Sequence, residues 1–277
     1  MRQNDPSQHN EKEELICMDP VIPDFSFAIS MLVGMLICLE IGRRLGIRSL
    51  AKDPQGAMSG LGVVQGSVFS LYGLLIAFTF SGAPARFDAR RHLVVEEADA
   101  IGTAYLRLDL LPAESQPALR ELFRKYVDSR LQAFRDLPDY EAAMAELAKS
   151  EKLQMEIWRA AVAASRLPSP NSGADKLVVP ALNEMIDVTG RRTMSMRIHP
   201  PLVVFELLFL MALICSLLAG YGMAASKYRS WLHITTFAAV AVISVFVILE
   251  IEYPRTGFFH LETAYDQVLA DVRTRMQ

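Results

Sequence analysis

The chain has 277 residues, 52% of them hydrophobic and 21% charged, with a formal net charge of −3. The near-neutral balance excludes a bulk attraction to nucleic acid, and a charged fraction close to that of soluble proteins excludes a chain embedded in lipid throughout. Three scattered cysteines, Cys17, Cys38 and Cys215, form no Cys-x-x-Cys pair, which excludes a disulfide framework and a zinc site of familiar spacing.

Residues 1–20 are polar and acidic (Asp5, Glu11, Glu13, Glu14, Asp19) and predict a mobile tail. A secretory signal would be short and basic there, and the next apolar run ends in Glu40-Ile-Gly-Arg43-Arg44 rather than a small-residue cleavage site, so this run is expected to stay in the mature protein. The apolar stretch from Val21 to Ile41 predicts a first membrane span over about 22–41. A basic connector with Arg43, Arg44, Arg48 and Lys52 leads to Asp53-Pro54 and a second span over about 60–83. Between Asp53 and Arg86 no side chain is charged, well beyond the roughly 20 apolar residues that a bilayer crossing needs. Residues 21–83 thus predict a transmembrane hairpin.

The second span has two patterned faces. Gly62, Gly66, Ser70, Gly73, Ala77 and Ser81 follow at steps of three and four, which keeps them on one side of a helix. Small residues let helix backbones approach closely in lipid, so this stripe predicts helix packing. Tyr72, Ile76 and Phe80 repeat every fourth residue on another face and are the pore-lining candidates. Arg86, Arg90 and Arg91 stand just beyond the span. At a pore mouth such a cluster would concentrate anions; the competing reading is headgroup anchoring, or pairing with Asp88, Glu96 and Glu97.

Residues 84–200 predict a helical soluble domain. Val94, Ala98, Ile101, Tyr105 and Leu108 form a heptad seam that continues the second span past Gly82 and Pro84. A second amphipathic helix carries Leu119, Leu122, Phe123, Tyr126, Val127, Leu131 and Phe134, with Ser115 as its expected cap. Leu137-Pro138 turns the chain, and Asp139 caps a third helix with a stripe of Tyr140, Met144, Leu147, Trp158, Ala161 and Val162. Pro168-Ser-Pro-Asn-Ser-Gly173 is a loop, and Leu177, Val178, Ala181, Leu182, Met185 and Ile186 mark a fourth helix. Residues 201–252 predict a second transmembrane hairpin, with spans over about 202–224 and 231–250 and aromatic-belt residues Tyr221, Tyr228, Trp231 and Tyr253. Residues 253–277 form a C-terminal tail, helical over about 261–275. The fold class is therefore all-α: four transmembrane helices as two hairpins flanking a helical soluble domain.

Four spans place both tails and the middle domain on one side. Lys12, Arg86, Arg90, Arg91, Arg191, Arg192, Arg197 and Arg255 lie there, against Arg43, Arg44, Arg48, Lys52, Lys227 and Arg229 on the connector side, so the positive-inside rule does not orient the chain. Glu206 stands inside the third span, where pairing with an arginine such as Arg197 or an interhelical hydrogen bond is expected, and Glu40, Glu250 and Glu252 lie near helix ends within reach of water. The five histidines are scattered, and no His-Glu-x-x-His, phosphate loop or Gly-x-Ser-x-Gly elbow is present, so neither catalysis nor a cofactor is expected.

Ala77-Phe-Thr-Phe-Ser81, Arg90-Arg91-His-Leu-Val-Val-Glu96-Glu97-Ala and Ala100-Ile-Gly-Thr-Ala-Tyr-Leu106 resemble the bestrophin-like bacterial membrane proteins. Leu182-Asn183-Glu-Met-Ile-Asp187 and Pro254-Arg-Thr-Gly257 fit the same pattern, over about residues 25–265. The resemblance extends remotely to bestrophins, pentameric anion channels with a pore lined by the second span. It implies an integral protein of the bacterial inner membrane, tails and middle domain cytoplasmic, assembled as a homo-oligomer (a pentamer) that passes small inorganic anions, with Tyr72, Ile76 and Phe80 as a hydrophobic neck. No acidic cluster matches the bestrophin calcium clasp, so calcium gating is not implied. The alternative function is a membrane-anchored interaction or stress-response protein that acts through its helical domain without transport.

Overall fold

The computed structural model describes residues 25–54, 56, 59–136, 139–168, 173–196, 198–226, 231–253 and 266–276. The N-terminal tail, the Leu137-Pro138 turn, most of the 168–173 loop, Arg197, the Lys227–Arg229 connector and the Pro254–Gly257 motif lie outside the described residues. Helices follow in the order α1 (Phe25–Lys52), α2 (Leu61–Leu106), a 3-10 turn (Arg107–Leu110), α3 (Gln116–Arg135), α4 (Tyr140–Ser165), α5 (Asp175–Ser195), α6 (Leu202–Gly222), a 3-10 turn (Met223–Ala225), α7 (Trp231–Glu252) and α8 (Asp266–Arg275). Among the described residues there is no strand. Four helices, α1, α2, α6 and α7, are long and apolar enough to cross a bilayer.

The chain divides into two compact units, changing over between Arg86 and Phe87 and between Ile198 and His199. The first holds α1, the N-terminal part of α2, α6 and α7. Its core combines Met31 and Met35 of α1, Tyr72 of α2, Phe205, Leu208, Ala212 and Cys215 of α6, and Ala238, Ala241, Val245 and Ile248 of α7. Gly60 opens α2 in the left-handed region at φ 72°, a conformation that glycine adopts without a Cβ penalty. Pro84 lies inside α2, which continues through it.

The tightest contact in this unit is between α1 and α6. Met31, Met35, Leu39, Gly42 and Gly46 are buried and recur at helical steps, so they form one face of α1. A Cβ on Gly42 would fall far inside contact distance of the Leu217 carbonyl oxygen, and one on Gly220 would do the same at Leu39. One on Gly46 would stand 2.7 Å from the Tyr221 carbonyl oxygen. The two backbones therefore touch, and glycine is required on both sides. Gln65 of α2 donates to the Leu218 carbonyl in the same region.

The second unit is a helical bundle around Ile101, Leu108, Phe123, Tyr126, Ile157, Leu182 and Met185. The seam Val94, Ala98, Ile101, Tyr105 and Leu108 is buried along its length. Asp139 accepts a hydrogen bond from Ala142 N at 3.1 Å and caps α4 as expected. Ser115 stands at the N-cap of α3 but has helical backbone angles and makes no capping bond.

The buried face of α4 differs from its expected stripe. Ala143, Ser150, Gln154, Ile157, Ala161 and Ala164 are the covered positions, whereas Met144, Leu147 and Trp158 are only half-buried. Two polar residues occupy the seam because each has a partner inside. Gln154 donates to the Tyr126 hydroxyl at 3.0 Å and Ser150 to the Leu147 carbonyl at 2.7 Å. The C-terminal α8 joins this unit. Leu269 and Met276 enter its core, Tyr105 and Arg124 donate to the Met276 carbonyl at 3.3 and 3.0 Å, and Arg273 clasps Asp128 at 2.7 and 3.0 Å.

Candidate functional site

The membrane stretch of α2 is the most thinly covered of the four: 6% of its apolar window is buried, against 39% for α7. Leu61, Gln65, Val68, Phe69, Tyr72, Leu75, Ile76 and Thr79 are the covered or half-covered positions, and they share one face. Tyr72 is 5% exposed and packs in the core of the first unit, where its hydroxyl has no hydrogen-bond partner among the described residues. Ile76 is half-buried against the same core. Phe80, the third member of that pattern, is 45% exposed.

The small-residue stripe lies on the opposite side. Gly62, Gly66, Ser70, Gly73, Ala77 and Ser81 are all exposed, and a Cβ on Gly62, Gly66 or Gly73 would meet nothing within 4 Å. No helix among the described residues packs there. Beside the stripe runs a second uncovered face of larger apolar residues, Val63, Val64, Leu71, Leu74 and Phe78, each at least half exposed.

Two members of the arginine cluster, Arg86 and Arg91, are drawn into ion pairs. Arg86 meets Glu252 at the end of α7, with Nε 3.1 and 3.0 Å from the two carboxylate oxygens and Nη2 at 2.9 Å. His199 Nδ1 lies 3.3 Å from the same carboxylate, and its ring stacks on Tyr253 at 4.5 Å. Glu252 is fully buried and Glu250 is 3% exposed, so neither reaches water as expected from its place near a helix end. Arg86 holds the carboxylate bidentately, an arrangement that compensates for its desolvation. Arg91 pairs with Asp88 at 3.2 Å and lies over the Phe87 ring, and Arg90 is only 7% exposed. Glu206 is exposed and makes no ion pair among the described residues; Arg197 lies outside them.

Arg86→Met leaves the Glu252 carboxylate buried without its bidentate partner. The expected loss is about 2 kcal/mol, below the usual figure for breaking a buried pair because Arg86 is a third exposed. The thermal midpoint of the detergent-solubilised protein measures it, and an unchanged midpoint would refute the pairing.

The second unit contains a charge cluster that the sequence did not reveal. Glu97, fully buried, accepts from Arg130 Nε at 2.8 Å and from Arg192 Nη1. Both guanidiniums lie over the Phe134 ring, at 5.0 and 3.8 Å from its centroid. Next to them, Tyr126 shares a hydrogen bond of 2.9 Å with Thr189. Burial pushes the Glu97 carboxyl up, but Arg130 and Arg192 outweigh it and hold the group below its ordinary value. Burial, together with the nearby Glu97, raises the Tyr126 phenol to about 12. Among the described residues no group of three or more histidine, cysteine or acidic side chains is placed to hold a metal ion.

A bestrophin-like domain is recognised across residues 28–265. The chain belongs to the bestrophin-like family. Among solved structures it is similar to an isoleucine-to-threonine variant of a bacterial bestrophin homologue from Klebsiella pneumoniae, at 13% identity and a TM-score of 0.61, covering 89% of this chain and 98% of that one. A tyrosine-to-alanine variant of the same homologue matches at 15% identity and a TM-score of 0.56 over 88% and 97% of the two chains. At these identities the likeness shows the fold: this bestrophin-like chain is an all-α, multi-pass membrane protein with the bestrophin architecture. No protein of curated function matches its sequence.

Proposed function

We propose that this bestrophin-like protein is an oligomeric ion channel for small inorganic anions, with its pore lined by α2 from each copy. One observation supports the reading above all: the membrane stretch of α2 leaves its small-residue face uncovered beside a second uncovered apolar face, whereas α1 and α6 bury their glycines against each other. A single chain of four spans is too small to enclose a lumen, so the assembly is a homo-oligomer, a pentamer as the family resemblance implies. The tails and middle domain would then be cytoplasmic in a bacterial inner membrane.

The burial of Tyr72 supports a different use of the faces of α2. Tyr72 points into its own bundle, so the lumen is assigned to the Gly62-to-Ser81 stripe together with Phe80, which shares that side, and the larger apolar face to the neighbouring copy. The backbone and hydroxyls of a small-residue stripe leave width for an ion, and Phe80 supplies a hydrophobic constriction. Arg86 and Arg91 contribute less anion attraction than bare cations would, because Glu252 and Asp88 offset them.

Chloride flux in proteoliposomes tests the function, and absence of flux from a monodisperse oligomer would overturn it. Cysteine labelling tests the face. In a background with Cys17, Cys38 and Cys215 replaced by serine, Ser70→Cys and Ser81→Cys are expected to react with a water-soluble thiol reagent and lose most of the flux, while Leu71→Cys stays unreactive. The reverse pattern would move the lumen to the larger apolar face. One observation favours the interaction-protein reading: Leu106 is 69% and Leu177 50% exposed, and Arg107 joins them by donating to the Leu177 carbonyl at 2.7 Å.

A further inference from the structure

The C-terminal end of α1 carries cations that no described acidic residue neutralises. Among the described residues, Arg48 and Lys52 make no ion pair and no hydrogen bond to a side chain. The nearby acids are already engaged. Glu40 is taken by Arg44 at 2.9 Å, and Asp53 accepts from Gly56 N at 2.9 Å in the turn that follows.

Their position on the helix gives these charges a partner. Val33, Ile37, Ile41, Leu45, Arg48 and Lys52 follow at steps of four, four, four, three and four, so they form one row, and every member is exposed. The row lies away from the buried face of Met31, Met35, Leu39, Gly42 and Gly46, which α6 covers. α1 has 28 residues, about 42 Å of helix, against a hydrocarbon layer of about 30 Å. Its last turns therefore rise into the headgroup layer while the apolar part of the row stays among acyl chains.

We propose that this row is a binding site for an anionic phospholipid. The acyl chains lie along Val33, Ile37, Ile41 and Leu45, and Arg48 and Lys52 hold the headgroup phosphate. The occupant is a lipid rather than a free anion because the apolar row runs unbroken into the cationic one, and a free phosphate would use only the latter. The proposal goes beyond the channel reading and stands whether or not ions pass.

The test uses the full chain in mild detergent. Added phosphatidylglycerol is expected to raise the thermal midpoint, and phosphatidylcholine with the same acyl chains to raise it markedly less. Inorganic phosphate at equal concentration should leave it unchanged. Apparent affinity for phosphatidylglycerol should fall about five-fold per cation removed, so that Arg48→Gln with Lys52→Gln abolishes the preference, while Arg48→Lys keeps it. Lipid extraction from the purified wild-type protein gives a readout that needs no variant: phosphatidylglycerol should be enriched over its share in the source membrane. Equal shifts from the two lipids, a full response to inorganic phosphate, a double variant that keeps its preference, or no enrichment in the extract would each overturn the proposal.

Discussion

Replacing Gly42 by leucine is expected to prevent assembly of the membrane unit, so that no monodisperse full-length protein is recovered in mild detergent. The argument is steric. Any Cβ at Gly42 collides with backbone atoms of Leu217, and backbone cannot rotate aside as a flexible side chain can. Gly42→Ala alone should cost about 3 kcal/mol, the upper end of the usual range for overpacking, because the obstacle is a carbonyl rather than a methyl group. Gly220→Ala should do the same from the other side, where the obstacle is the Leu39 carbonyl. The control is Gly66→Ala in α2, whose Cβ meets nothing; helix propensity alone would make it neutral or slightly stabilising. If Gly42→Ala keeps the wild-type midpoint, the two backbones are further apart than described. If Gly66→Ala lowers the mass of the assembled particle while the chain stays folded, the α2 stripe is packed between copies instead of facing a lumen.

Glu97→Gln is expected to be the most damaging single change in the second unit, lowering its stability by about 3–5 kcal/mol. The substitution keeps size and shape but leaves Arg130 and Arg192, 1% and 3% exposed, without the carboxylate that compensates for their burial. Circular dichroism of the solubilised protein during heating measures the loss, and a change below about 1 kcal/mol would show that the cluster is dispensable. The same carboxylate gives the unit a pH dependence. Its folded pKa lies below the ordinary value of 4.5, so the folded state favours the ionised form. The stabilisation is fully present above that ordinary value and is lost as pH falls through the lower folded pKa. Acid unfolding of the wild type should therefore begin below about pH 4.5, and Glu97→Gln should flatten this part of the profile.

Much of the architecture was legible because it is periodic. Four apolar runs and the seam from Val94 to Leu108 repeat often enough that hydrophobic spacing alone identifies them. The Gly42 and Gly46 contact was harder to see, since those two glycines stand beside Arg43 and Arg44, and a basic pair reads as the end of a span rather than part of a packed helix. The stripe on α2 was conspicuous, yet no described residue packs against it. Sequence spacing tells which residues share a face; it does not tell what meets that face. Glu97 presents the same difficulty among charges. It is adjacent to Glu96, which is exposed, and nothing local distinguishes the two. Its partners arrive from α3 and α5, and Glu252 likewise receives Arg86 from α2. Polar positions in the α4 seam were missed because Ser150 and Gln154 look like solvent-facing residues until their acceptors are known.

The interlock of α1 with α6 also sets a timetable for biogenesis. The glycine face of α1 is synthesised early, while Leu217 and Gly220 emerge only after the whole helical unit between them has been made. At about 5–20 residues per second, that separation amounts to roughly ten to thirty seconds. Through this interval α1 sits in the bilayer with its tightest contact surface empty, and lipid or a neighbouring nascent chain must occupy it. Deleting the C-terminal hairpin would make that transient state permanent, leaving a membrane-inserted fragment whose exposed glycines are free to pair with the wrong helix.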